Sequence, residues 1–241
     1  MVLALYVTVS CISPSEAGAQ AEVTASPDAL YARREEPGLA AQAADAWAKR
    51  LAATPSDFEA AWKLSRARYW IGTNGPEAGR RAALEAGMQA ANAAIALQAK
   101  RPEGHFWLAA NMGALAESFG LSQGLKYRKA IKASLEEVLR LDPAYESGSA
   151  DRALGRWYYK VPGLFGGSDE KAEQHLRKSL TYDPQSTASW FFLAEALEDL
   201  GRKADAKAAL QHVLEAPLNP QWSPEDKAWK AKARAKLAEM R

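Results

Sequence analysis

Three arginines stand beside aromatic residues at helical spacing, and they are the residues of this chain best suited to recognise a ligand. A guanidinium group can bind a carboxylate through two parallel hydrogen bonds, and a neighbouring aromatic ring adds a face on which the guanidinium can stack. We therefore expect the set to bind the carboxylate of a small organic acid or of a peptide terminus. The side chains expected to share one groove are Trp62, Arg66, Tyr69, Phe106, Ala110, Arg152, Arg156, Tyr159, Phe191, Glu195 and Glu198.

A second interpretation of the same arginines is that they pair with neighbouring acids such as Glu195 and Asp151. Ion pairs of this kind are common on protein surfaces and say little about function. The two interpretations differ for Arg156: if it contacts an anionic partner, replacing it with glutamate should abolish binding.

Other chemistry is not favoured by the sequence. The three histidines, His105, His175 and His212, lie far apart and have no nearby acid at ligand spacing, so no metal site is expected. The single cysteine, Cys11, excludes a cysteine metal cluster and an internal disulfide framework. There is no phosphate-binding loop or nucleophile motif, so we expect no catalytic residues and no cofactor. A net charge of +2 does not indicate a nucleic-acid partner.

A proline recurs in one setting along the chain, and this repeat predicts the elements that position the groove. Each proline has a small or apolar residue eight and twelve positions upstream. The four prolines are Pro55, Pro102, Pro143 and Pro184. Repeats of a few tens of residues are typical of stacked helical hairpins, none of which can bury its apolar face alone. No segment alternates like a strand, so the fold class is all-α.

Each repeat divides into a helix A and a helix B. The segment from Leu154 to Tyr158 carries the L-G-x-x-Y core of a tetratricopeptide repeat, with Gly155 at the position of close helix contact. We expect a right-handed α-solenoid of degenerate tetratricopeptide-like helix pairs, ended by a C-terminal capping helix. Helix A of each pair should line the concave face and helix B the convex face.

The repeats are longer than a standard tetratricopeptide repeat. The intervals between the prolines are 47, 41 and 41 residues, against about 34 for the standard unit. We expect the excess in long A–B loops at residues 73–76, 120–124 and 161–168. Such loops either build a recognition surface or only fill gaps between helices.

The amino-terminal segment resembles a secretory signal. Residues 1–12 are mostly apolar and are followed by the small residues Ala17, Gly18 and Ala19, although no basic residue precedes Arg33. We expect a signal peptide, which could be truncated, over residues 1–19, a linker over 20–38 and the repeat domain over 39–241. Export to the periplasm or secretion is favoured over the cytoplasm, and membrane attachment is expected only if Cys11 accepts a lipid.

Two families share distinctive segments with this chain. Residues 155–159 (G-R-W-Y-Y), 165–168 (F-G-G-S) and Lys171-Ala172 resemble the T-component of TRAP transporters. The same segments, together with residues 223–227 (S-P-E-D-K), also resemble the eukaryotic regulators of microtubule dynamics. The first resemblance implies an exported helper that associates with a solute-binding protein and forms a ring-like homo-oligomer.

The sequence therefore predicts a non-enzymatic helical-repeat protein that binds a protein partner, as an accessory component of a TRAP-type uptake system for organic acids. The first alternative is a carrier that holds a small organic acid in the groove or in an oligomeric pore. The second alternative is a scaffold similar to the regulators of microtubule dynamics.

Overall fold

The computed structural model describes residues 25–240, which form eleven α-helices and no strand. The predicted signal peptide and Cys11 lie outside this range. The helices are α1 Pro27–Ala32, α2 Leu39–Ala53, α3 Phe58–Asn74, α4 Glu77–Leu97, α5 Pro102–Phe119, α6 Leu121–Leu141, α7 Ser149–Lys160, α8 Asp169–Tyr182, α9 Thr187–Asp199, α10 Lys203–Glu215 and α11 Ser223–Glu239. A short 3-10 helix, Gly163–Phe165, lies between α7 and α8. None of the helices described is long and apolar enough to cross a membrane.

Successive helices pair in antiparallel hairpins, and the hairpins stack side by side. The A helices are α1, α3, α5, α7 and α9, the B helices are α2, α4, α6, α8 and α10, and α11 packs on the last pair. The A helices from α3 to α9 each contact the next A helix, and α9 contacts α11, which continues this row. Consecutive B helices are farther apart. The stack therefore bends with the A helices on its inner face. The prediction of an all-α, tetratricopeptide-like solenoid is confirmed.

Small side chains allow the helices to approach closely. Ala43, Ala44, Ala60 and Ala67 are fully buried between α2 and α3, where they surround Trp47. In the pair formed by α7 and α8, a Cβ atom on Gly155 would come within 2.5 Å of Leu176 Cγ and 3.2 Å of the carbonyl oxygen of Ala172. The glycine of the L-G-x-x-Y pattern is thus needed where α7 touches α8.

Helix starts are fixed by side-chain caps. Asp57 accepts a hydrogen bond from the Ala60 amide at 2.9 Å and begins α3. This bond lowers the pKa of the Asp57 carboxyl group. Ser168 and Ser186 cap α8 and α9 in the same way. Each of these caps satisfies a backbone amide that has no partner within its helix.

The prediction of long A–B loops is correct for one pair and wrong for two. The α7–α8 connection does span residues 161–168. The α3–α4 connection, by contrast, is only Gly75-Pro76, and the α5–α6 connection is Gly120 alone. The extra residues lengthen the helices: α3 to α6 have 17 to 21 residues, and α7 to α10 have 12 to 14. Alanine, leucine and arginine, which favour helix, are frequent in the segments on either side of these two short connections.

The predicted linker over residues 20–38 is corrected within its described part. Pro27–Ala32 forms α1, capped by Ser26, and α1 packs on α2. Tyr31 is buried against Trp47 with ring centroids 5.8 Å apart. This segment is the first of the A helices. It is too short to show the periodic spacing of apolar residues by which the other helices were predicted.

Replacing Gly155 with alanine should destabilise the fold by roughly 1–3 kcal/mol, because the new methyl group would push Leu176 and the α8 backbone away. Gly113, in the middle of α5, is the matched control because a Cβ there would have no neighbour within 4 Å. Gly113→Ala should stabilise by about 0.5–1 kcal/mol. Urea unfolding of both variants measures the difference, and equal shifts would contradict the packing described.

Candidate functional site

The curvature of the A row brings the two ends of the described chain together. Arg34, which follows α1, donates hydrogen bonds to both carboxylate oxygens of Glu225 at 3.0 and 2.5 Å. It also donates to the carbonyl oxygen of Gln221 at 2.8 Å. These contacts join residues separated by 187 and 191 positions in the sequence and close the concave face across its ends.

The guanidinium of Arg34 is enclosed by aromatic rings. Its side chain is 3% exposed, and its Cζ lies 5.0 Å from the ring centres of Tyr31 and Trp70 and 5.7 Å from that of Trp222. The Trp70 indole donates to the carbonyl oxygen of Arg34 at 3.0 Å. Sequence reasoning missed this cluster, since Arg34 lies in the predicted linker and no periodic signal connects it to Glu225. We call the contact between Arg34 and Glu225 the end bridge.

Two of the predicted groove residues, Arg66 and Trp62, lie together near the end bridge. Arg66 on α3 stacks on Tyr31 at 4.2 Å and on Trp62 at 5.0 Å. Its side chain is 11% exposed, and its one acidic neighbour within reach, Asp28, is 3.9 Å away. A cavity of about 170 Å³ lies between Arg66 and the end bridge, lined also by Asp28, Tyr31 and Trp222.

The groove continues along α3 and α5 as an aromatic wall. Tyr69 packs on Trp107 with ring centres 5.6 Å apart, and Phe106 contacts Trp107 and Tyr145 edge-on. Burial, followed by the nearby charges of Glu117 and Glu225, raises the pKa of Tyr69 to about 12. Tyr69 and Phe106 of the predicted set thus meet through Trp107, and Tyr145 packs on Phe106; Trp107 and Tyr145 were not in the predicted set.

Arg152 on α7 lies in this groove without a direct counter-charge. It has no ion-pair partner within 4.0 Å among residues 25–240. Burial lowers the pKa of its guanidinium, and the more distant charges of Glu146 and Asp183 oppose that effect. Burial likewise raises the pKa of Glu146, which the charges of Arg66 and Arg152 oppose. The two groups interact through space but do not touch.

The turn that carries Glu146 has an unusual backbone. Glu146 and Ser147 have φ angles of 45° and 54°, and the following Gly148 has 76°. Residues other than glycine rarely adopt positive φ, and such strain tends to persist where the surrounding structure needs the geometry. Here the turn places Glu146 within electrostatic range of both Arg66 and Arg152.

Arg156 is fully paired, as the second interpretation of the sequence expected. Its guanidinium donates to Glu195 at 2.5 Å and to Glu117 at 3.0 and 3.3 Å. Tyr159 lies beside it, with Cζ of Arg156 5.7 Å from the ring centre. Arg156, Tyr159 and Glu195 therefore form a group of their own at the α7–α9 end of the groove, and its arginine charge is already neutralised.

The remaining predicted residues do not form a binding surface. Phe191 is buried beneath α11, with its ring centre 5.1 Å from that of Trp229. Glu198 pairs with Lys236 of α11 at 2.5 Å. The expectation that His175 lacks an acidic neighbour is wrong: its Nδ1 lies 2.7 Å from the Asp151 carboxylate across the α7–α8 contact. Asp151 thus pairs with this histidine and not with an arginine.

Two buried donors of the groove have no hydrogen-bond partner among residues 25–240, Trp62 Nε1 and Arg66 Nε. Trp107 Nε1 and the Tyr145 hydroxyl interact with each other. Buried donors without a partner are costly, so their concentration on one surface favours an acceptor-rich ligand at this place.

Comparison with known proteins gives a family and a fold. The sequence model of the family described as Regulator of microtubule dynamics protein 1-3 matches residues 25–165, more than half of the chain. A tetratricopeptide repeat model matches residues 170–237.

Solved structures with the same fold include a thermophilic TPR protein of Thermus thermophilus. It is 21% identical, the match covers 88% of this chain and 95% of that one, and the TM-score is 0.66. Two crystal structures of MamA are each 18% identical and cover 83% of this chain, with 95% and 89% of their own chains matched and TM-scores of 0.50 and 0.51.

Replacing Arg34 with alanine should lower the free energy of unfolding by about 2 kcal/mol, since it removes a buried charge that holds the two ends together and leaves Glu225 without its partner. Lys227 and Glu35 form a nearby bridge of 3.1 Å with both side chains about half exposed, which makes Lys227→Ala the control. The control should cost less than about 0.5 kcal/mol. Urea unfolding is the measurement, and similar losses in the two variants would contradict the role assigned to the end bridge.

Stability should fall as the pH rises from 10.0 to about 12, and Tyr69 should account for part of the loss. The folded protein holds the Tyr69 proton more tightly than the unfolded chain, whose tyrosine pKa is 10.0. Above that pH the unfolded state loses its proton first and is favoured. Tyr69→Phe should therefore remove on the order of 2 kcal/mol of the alkaline loss. Urea unfolding at pH 8 and near pH 11.5 tests this, and identical alkaline losses in both proteins would refute it.

Proposed function

The chain belongs to the family of regulator of microtubule dynamics proteins 1-3, and we propose that it is a non-enzymatic scaffold that binds an acidic segment of a protein partner on its concave face. The fold supports this proposal because tetratricopeptide-like solenoids present a concave surface on which extended partners lie. The observation that carries it is Arg152, a groove arginine without a direct counter-charge that shares the neighbourhood of Glu146 with Arg66, whose Nε has no hydrogen-bond partner among the described residues.

The charges of the groove favour one part of it as the contact. At Arg156 two carboxylates already occupy the guanidinium, and an incoming anion would have to displace one of them. At Arg66 and Arg152 no carboxylate is closer than the 3.9 Å of Asp28. A carboxylate that reaches these two arginines gains charge-assisted hydrogen bonds without breaking an existing pair.

The partner proposed is part of the microtubule system, because the family description names that system. Co-sedimentation of the purified protein with assembled microtubules tests this directly. Saturable binding supports the proposal, and absence from the pellet at micromolar protein removes this partner.

A TRAP-type accessory role is the second candidate, favoured by residues 155–159 and 165–168. In the structure these residues form the α7–α8 contact and its long connection. The role requires export and a periplasmic solute-binding protein as partner. Genes for such a protein and for a membrane permease beside this one, with binding of the purified pair, would decide in its favour.

Carriage of a small organic acid is less favoured than protein binding. The cavity of about 170 Å³ beside Arg66 is smaller than the roughly 300–1,000 Å³ typical of ligand pockets. A thermal-shift screen of small organic acids tests this alternative, because a bound ligand stabilises the folded state by mass action.

Replacing both Arg66 and Arg152 with glutamine should weaken binding of a ten-residue polyglutamate peptide by at least tenfold, because each lost charge-assisted bond is worth about 1.5–3 kcal/mol. Arg156→Gln, the matched control, should change the affinity by less than about twofold, since that guanidinium is occupied by Glu117 and Glu195. Fluorescence anisotropy measures both. A larger effect from Arg156 would place the contact at the other end of the groove.

A further inference from the structure

An apolar tip projects from the α7–α8 connection. Leu164 is 89% exposed and Phe165 is 37% exposed, which makes them two of the few large apolar side chains open to solvent in residues 25–240. Isolated exposed leucines are normal on protein surfaces. This one requires explanation because the backbone holds it outward.

The tip has a defined shape. The Phe165 and Gly167 amides both donate to the carbonyl oxygen of Pro162, at 2.8 and 3.3 Å, and the Ser168 amide donates to that of Tyr158 at 3.0 Å. Gly167 permits this close return, since a Cβ atom there would lie 1.6 Å from the carbonyl oxygen of Val161. The chain thus turns tightly around Leu164 and Phe165, leaving the leucine side chain in solvent.

The first turns of α6 continue the apolar tip into a larger patch. The Arg128 guanidinium lies 5.4 Å from the Phe165 ring centre, and the Trp157 indole donates to the Arg128 carbonyl oxygen at 2.9 Å. Leu121 and Leu125 precede Arg128 by seven and three residues, so they share its helix face. Leu121 is 61% exposed. We call the surface formed by Leu121, Leu125, Leu164 and Phe165 the apolar edge.

Free positive charges surround the apolar edge. Residues 118–135 and 152–168, which carry it, contain seven lysines and arginines and no aspartate or glutamate. Arg152 and Arg156 lie in the groove, and Lys132 reaches Glu136. The other four are Lys126, Arg128, Lys129 and Lys160. None of these four has an ion-pair partner within 4.0 Å among the described residues, and the three lysines are exposed. The nearest acids along the chain are Glu117 and Glu136 on either side of the first segment, and Asp151 before and Asp169 after the second, where α8 starts.

We propose that the apolar edge docks on the surface of an anionic lipid membrane. Exposed leucine and phenylalanine can enter the boundary between headgroups and acyl chains, while lysine and arginine around them meet the lipid phosphates. A protein partner fits this patch less well, because a stable protein interface buries about 800 Å² on each side and the apolar edge offers four side chains. The sequence predicted membrane attachment only through Cys11, so this is a separate route that does not need lipidation.

Co-sedimentation with phospholipid vesicles tests the proposal, using phosphatidylcholine alone and with about one third phosphatidylserine. The unmodified protein should bind the anionic vesicles at least tenfold more tightly than the neutral ones. The double variant Leu164→Ser, Phe165→Ser should lose at least tenfold of this binding. Lys126→Gln with Lys129→Gln should also lose at least tenfold, because each lysine near an anionic surface contributes about fivefold.

Matched controls carry the same changes elsewhere. Leu218 is 44% exposed outside the apolar edge, and Lys203 and Lys207 are exposed on α10. Leu218→Ser, and Lys203→Gln with Lys207→Gln, should each leave vesicle binding within about twofold. The changed side chains are exposed, so thermal unfolding should show that all the variants remain folded.

Three binding results would overturn the proposal: no binding to anionic vesicles, equal binding to both vesicle types, or equal losses of binding in the patch and control variants. Competition by glycerol phosphate would also overturn it, because it would indicate a site for the free headgroup. Patch-dependent binding of the polyglutamate peptide in place of vesicles would assign the apolar edge to a protein partner. Arg66→Gln with Arg152→Gln should leave vesicle binding unchanged, which keeps this outcome separate from that of the proposed groove.

Discussion

Close contact between neighbouring A helices determines the shape of the molecule and, through it, the position of every group considered for binding. From α3 onward each helix of the inner row contacts the next one, while consecutive B helices remain farther apart. A stack with unequal spacing on its two faces must bend towards the tighter face. The bend places Arg66, Tyr69 and Arg152 on one inner surface, and it carries α1 round to the start of α11. The end bridge is a consequence of this curvature and also fixes it, because Arg34 and Glu225 meet only if the bend has one value.

What the sequence could predict follows from the distance over which each signal acts. The helices and the close contact at Gly155 depend on residues within one hairpin, and the predictions for them hold. The bridge from Arg156 to Glu195 spans 39 residues, which is about one repeat, and the sequence had already raised this pairing. The end bridge spans 191 residues and depends on the bends of all the hairpins together. No local sequence pattern encodes the combined bend of all the hairpins, and so the contact between Arg34 and Glu225 was not predicted.

The errors in helix length have a local cause. Proline spacing gives the length of each repeat, but it does not show whether the extra residues are loop or helix. In the pairs α3–α4 and α5–α6 the residues on both sides of the connection favour helix, so the connections are only Gly75-Pro76 and Gly120. In the pair α7–α8, Pro162 and three glycines stop the helix and leave a long connection. One of the three predicted loops thus became a projecting surface, and the other two became longer helices.

Charge is distributed in the groove so that an acidic partner meets one region and not the other. Glu117 and Glu195 neutralise Arg156, and Glu225 neutralises Arg34, whereas Arg66 and Arg152 face Glu146 across a gap. A buried arginine cannot shed its proton, so it needs negative charge nearby even when no partner is bound. Glu146 supplies that charge from a strained turn without forming a hydrogen bond to either arginine. The guanidinium donors therefore remain available to a carboxylate from another molecule. When no partner is bound, Glu146 still limits the cost of burying Arg152.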